Sequence, residues 1–125
     1  MAMNPDSTMR LILGVGAAFN AFAAAMIALP GSLGALAALP TGGSLFYRWL
    51  LVLFVALFGR AYGWLALQPV IVRPLVGLAA IGKIGVFIVA IACWSSGEIP
   101  ATTLPPAVGD LAFAGVFVWW LRATR

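Results

Sequence analysis

Residues 74–94 read PLVGLAAIGKIGVFIVAIACW, an apolar run opened by proline and closed by tryptophan, with Lys83 as its only charge. About 20 apolar residues at about 1.5 Å each suffice to cross a hydrocarbon core of roughly 30 Å. Proline suits a helix start, because the N–H it lacks would be unpaired there anyway. The rest of the chain has the same character. Of its 125 residues, 64% are hydrophobic and 8% charged, and the mean hydropathy is +1.12. A soluble domain carries about a quarter charged residues and about half apolar ones. Such a surplus does not fit inside one small water-soluble core, so the solvent for this chain is a lipid bilayer.

Three more runs follow the same pattern. One extends from Leu11 to Leu29, broken by Asn20 and closed by Pro30. Another extends from Leu45 to Leu67, contains Arg48 and Arg60, and stops at Gln68 and Pro69. The last opens at Pro105, contains Asp110 and ends at Leu121 and Arg122. It is short, so it lies near the membrane normal or begins before Pro105. The predicted fold is all-α: a four-helix transmembrane bundle, one integral membrane domain over 1–125, with helices over about 9–29, 45–67, 74–94 and 105–122. A transmembrane barrel would need strands of about ten residues with alternating polarity, which these continuous runs lack. Arg10, the apolar run after it and Ala23 to Ala25 have the outline of a signal peptide. The run exceeds the usual h-region, so it is read as a permanent helix. Asn4 to Thr8 is expected to be polar and mobile, and Pro30 to Ser44 a flexible connector or a short surface helix. No repeat between the two helix pairs is evident.

Basic residues set the orientation. With an even number of spans, both termini and the loop between helices two and three share one side. That side carries Arg10, Arg73, Arg122 and Arg125. The other has Arg48, recessed in helix two, and Glu98, and these two are expected to approach each other. Both termini are therefore expected in the cytoplasm of a bacterial-type inner membrane. The net charge of +4 acts as a topology signal, and no nucleic-acid partner is implied.

Without apolar burial to drive association, helices in lipid rely on close contact through small residues. Ala17, Ala21 and Ala25 form one such stripe, Gly59 and Gly63 with Ala56 and Ala66 another, and Gly77, Gly82 and Gly85 a third. Gly59 and Gly63 suit either a neighbour within the chain or a second copy, so a homo-oligomer stays open.

The polar residues inside the spans are the candidate site. A charge at the bilayer centre costs about 2.5–3.5 kcal/mol on insertion scales and normally faces the bundle interior. At 1.5 Å per residue, Arg60 lies roughly 10 Å from the end of its helix, Lys83 roughly 14 Å, Asn20 about 15 Å and Asp110 roughly 18 Å. Asn20, Arg60, Lys83 and Asp110 thus share one slab, with Trp64 placed to accept the Arg60 guanidinium over its ring. Two readings compete. One is a polar clasp in which Asp110 neutralises Lys83 or Arg60, both turned inward, and Asn20 bridges them. The other is a cavity for the polar end of a lipid-like ligand, or a path for a proton or ion.

Catalysis has little support. The chain has no histidine, no nucleophile elbow, no P-loop and no paired carboxylates, and a buried Lys83 acting as base or nucleophile would stand alone. A membrane enzyme acting on a lipid or isoprenoid is the most distant alternative. The single cysteine, Cys93, is read as a packing residue. No metal and no cofactor is implied.

FYRWLLVLF at the start of helix two, RPLVGLAAIGKIG in helix three and GDLAFAGVFVWWLR in helix four resemble the DoxX-like group of small four-helix bacterial membrane proteins. The resemblance implies an accessory subunit, in some members of membrane redox or sulfur-oxidising complexes. With no cysteine pair or haem ligand, this chain would not itself carry electrons. The expected function is that of a non-catalytic accessory or apolar-ligand-binding membrane protein. A small transporter or channel using the Arg/Lys/Asp cluster is the alternative. The expected partners are the bilayer, a lipid-like ligand and a membrane-complex partner.

Overall fold

A computed structural model describes residues 4–125. Four helices are long and apolar enough to cross a membrane: α1 (Pro5–Ala28), α2 (Leu45–Ala66), α3 (Arg73–Ser95) and α4 (Leu104–Ala123). Short 3-10 turns at Leu33–Ala37 and Ala101–Thr103 shape the two connections at the end of the bundle away from the termini. Large apolar side chains stay uncovered along the outer faces, for example Ile81 at 70% and Val89 at 62% exposure. In water such surface would aggregate, and against lipid chains it costs nothing.

α1 begins earlier than the sequence suggests. The Asn4 side chain accepts from the Asp6 backbone N–H at 2.9 Å, and Pro5 occupies the first turn. This cap, together with the bond from Trp120 Nε1 to Asp6 Oδ1 at 2.9 Å, orders a segment expected to be mobile. The connector after α1 folds back on its helix. A Cβ at Gly34 would meet the Met26 carbonyl at 2.6 Å, so only glycine fits there.

α1 packs along α2 and α3 along α4, and α1 meets α4 between the two pairs. α2 and α3 share no comparable contact. The α1–α2 seam is built on missing side chains. A Cβ at Gly59 would come within 2.8 Å of Asn20 Cβ, and one at Gly63 would sit 3.6 Å from Ala17 Cβ. The Gly59–Gly63 stripe therefore serves an intrachain crossing. Helix three departs from expectation. Nothing lies within 4 Å of a Cβ at Gly77, Gly82 or Gly85, because α3 turns Val76, Ala79, Ala80 and Lys83 inward instead.

The apolar core occupies the half of the bundle nearest the termini. Met9, Leu13, Val76 and Phe117 are fully buried there, flanked by Leu65 and Trp120. Two arginines close that end. Arg10 donates to the carbonyls of Ala66 (2.7 Å), Gln68 (2.5 Å) and Pro69 (3.0 Å), at and just beyond the last residue of α2. Arg73 donates to the Leu121 carbonyl at 2.7 Å and the Thr124 carbonyl at 3.0 Å, at the end of α4, and lies over the Trp120 ring. Helix C-termini leave carbonyls unpaired and carry partial negative charge, so a guanidinium satisfies both needs.

The two hairpins thus use the same device, a likeness not evident in the sequence alone. Arg10 and Arg73 are separated by the same 63 residues as Asn20 and Lys83. Within that offset, RLILG matches RPLVG, and Leu13 matches Val76, each fully buried. In both copies the first helix donates an arginine to the end of the second.

Candidate functional site

Just beyond the apolar core, three of the polar side chains singled out in the sequence meet. Lys83 Nζ lies 2.6 Å from Asp110 Oδ1 and 3.2 Å from Asn20 Oδ1. Asn20 Nδ2 in turn donates to the Val55 carbonyl at 3.1 Å. One chain of polar contacts therefore runs from α2 through α1 and α3 to α4. Its arrangement follows from helix geometry. Each of the three residues lies on the inward face of its helix, with Asn20 beside Ala24 and Gly16 on α1, and Lys83 beside Ala79 and Ala80 on α3.

An aromatic box surrounds the ammonium. The ring centres of Phe113, Phe19 and Tyr62 lie 5.1, 5.2 and 5.3 Å from Lys83 Nζ. Aromatic faces carry partial negative charge and attract a desolvated cation by about 2 kcal/mol or more. Lys83 is 4% exposed, Asn20 7% and the Asp110 side chain 15%. Among the described residues no buried side-chain polar atom lacks a partner. Two oxygens take two of the three ammonium N–H groups, and the rings face the rest of its surface. Tyr62 carries a signal in hindsight, since Gly59, Tyr62 and Leu65 recur at three-residue spacing on the buried side of α2.

Arg60 and Trp64 do not belong to this cluster, contrary to the expectation that Arg60 turns inward. Successive residues on a helix are rotated by about 100°. Gly59 must face α1 for the backbones to touch, and that turns Arg60 outward, where it is exposed. Its guanidinium lies 5.8 Å from the Trp64 ring centre, and Trp64 is itself 63% exposed. The two residues rim a groove of about 590 Å³ on the outer flank of the α1–α2 seam, floored by Ala17, Ala21, Gly59 and Gly63.

The expected approach of Arg48 to Glu98 does not occur. Arg48 donates to the Thr41 carbonyl at 2.8 Å, and Lys83–Asp110 is the one ion pair among the described residues. Arg48 belongs to the first hairpin and Glu98 to the turn of the second. With α2 and α3 not packed together, the nearby carbonyl is the partner that needs least ordering.

Searches against protein-family models, curated proteins and solved structures find no match to this chain.

Proposed function

We propose that this chain is a non-catalytic integral membrane protein of a bacterial-type cytoplasmic membrane that acts by binding. It serves either as an accessory subunit of a membrane complex or as a holder of a lipid-like ligand. The observation that carries this reading is the use made of Lys83, the candidate base or nucleophile of the spans. Its ammonium is taken up by Asp110 and Asn20 and enclosed by three rings, so the cluster works as a clasp across four helices. The concave, accessible chemistry lies elsewhere, on the lipid-facing flank of α1 and α2. The resemblance to DoxX-like proteins points the same way. The position of Arg10, Arg73, Arg122 and Arg125 at one end of the bundle supports cytoplasmic termini.

Native purification followed by mass spectrometry tests the proposal, alongside proteoliposomes loaded with a pH-sensitive dye. A stoichiometric protein or lipid that survives purification, with no proton flux above empty vesicles, is the expected result. Flux that is abolished in Lys83→Met would overturn it in favour of a transporter.

A further inference from the structure

We infer that the groove beside Arg60 is a binding site for one anionic phospholipid, drawn from the leaflet on the side of the termini. The inference deepens the binding role proposed above and rests on it. Deeper cations and those that close the helix ends have acceptors: Lys83 has Asp110, and Arg10, Arg48 and Arg73 have backbone carbonyls, while Arg122 stands in the last turn of α4, at the helix end. Arg60 has the Trp64 ring alone among the described residues. It faces outward in a span, roughly 10 Å inside the helix end, where an uncompensated charge is costly. A guanidinium there calls for an anion, and its planar fork matches two phosphate oxygens.

The shape of the groove fits the rest of such a lipid. Leu67, 82% exposed, stands at its mouth beside the end of α2. From there the floor runs along Gly63, Gly59 and Ala56 towards the membrane centre. Its volume of about 590 Å³ falls within the range of about 300–1,000 Å³ typical of small-molecule sites. A lipid with its phosphate at Arg60 and Trp64 lays one acyl chain along this glycine and alanine floor, where no side chain competes for the space.

Charge argues against a second copy of the chain as the occupant. A two-fold contact through the groove would bring one Arg60 against another. The chain has only three acidic residues, and none lines the groove. Asp110 is paired with Lys83 and Asp6 accepts from Trp120, while Glu98 sits at the opposite end of the bundle.

The test is native mass spectrometry of the full chain in mild detergent, titrated with phosphatidylglycerol or phosphatidylcholine of matched acyl chains. Phosphatidylglycerol is expected to bind roughly tenfold more tightly, because both lipids offer phosphate oxygens but the quaternary ammonium of phosphatidylcholine offsets the attraction to Arg60. Arg60→Gln should bring it down to the phosphatidylcholine level, and Arg60→Lys should keep part of the preference. Ala56→Phe should weaken both lipids by filling the groove. Arg60 and Ala56 are both exposed, so these variants should melt like the parent. Equal binding of the two lipids overturns the inference, as does unchanged phosphatidylglycerol binding by Arg60→Gln or competition by inorganic phosphate. A dimer mass lost in Ala56→Phe also overturns it and assigns the groove to a second copy. If the lipids bind equally while a purified partner protein persists, this site fails and the broader binding role stands.

Discussion

Lys83 Nζ sits 2.6 Å from Asp110 Oδ1, joining α3 to α4 in the interior of the bundle. Such a pair need add little net stability over a well-packed apolar substitute, yet losing one partner strands the other. The expected cost of Asp110→Asn, read from unfolding in detergent, is about 3–5 kcal/mol. Lys83→Met combined with Asp110→Leu should recover most of it. A single variant as stable as the parent would remove the clasp.

Asn20 holds two neighbours at once, the Val55 carbonyl and the Lys83 ammonium. Asn20→Leu should cost about 1–2 kcal/mol, since hydrogen bonds between membrane helices are individually weak. Its effect should overlap with that of Asp110→Asn, because both act on the same ammonium. Strict additivity in a double-mutant cycle would mean that the two contacts are independent.

Glycines on different helices should respond in opposite directions to the same change. At Gly59 a new Cβ would meet Asn20 Cβ at 2.8 Å, so Gly59→Ala should lower stability by about 1–3 kcal/mol through overpacking. At Gly82 the added methyl meets nothing within 4 Å, and Gly82→Ala should raise stability by up to about 1 kcal/mol through helix propensity. Thermal denaturation of the two variants side by side checks both.

Arg10→Leu and Arg73→Leu should each cost about 1–3 kcal/mol by leaving helix-end carbonyls without their charged donor. The loss should be local. Hydrogen exchange is expected to rise at the end of α2 in the first variant and at the end of α4 in the second. Matching exchange patterns in both variants would contradict the two-hairpin design.

A phosphatase fused after Arg125 is expected to be inactive, and the same enzyme inserted beside Glu98 active, if the arginine-bearing end faces the cytoplasm. The reverse pattern would invert the bundle without altering any of its internal contacts.

The sequence alone determined that the chain is helical, that four of its runs are long and apolar enough to cross a membrane, and that polar residues inside those runs are its unusual feature. Composition and run length suffice for this, because each span must satisfy its own backbone and present apolar side chains to lipid. Counted depth also put Lys83 nearer than Arg60 to Asp110, though Arg60 has the longer reach. The sequence could not say which way Arg60 turns. Depth follows from counting residues, whereas facing direction in lipid is not marked by an apolar stripe, since both faces of these helices are apolar. The decision fell to one close approach: Gly59 against Asn20 and Ala17 rotates α2 so that Tyr62 enters the cluster and Arg60 leaves it. The same holds for Arg10 and Arg73, which read in sequence only as topology signals. That each caps the partner helix of its own hairpin is settled by tertiary packing, because the acceptors are backbone carbonyls, which every residue type supplies alike.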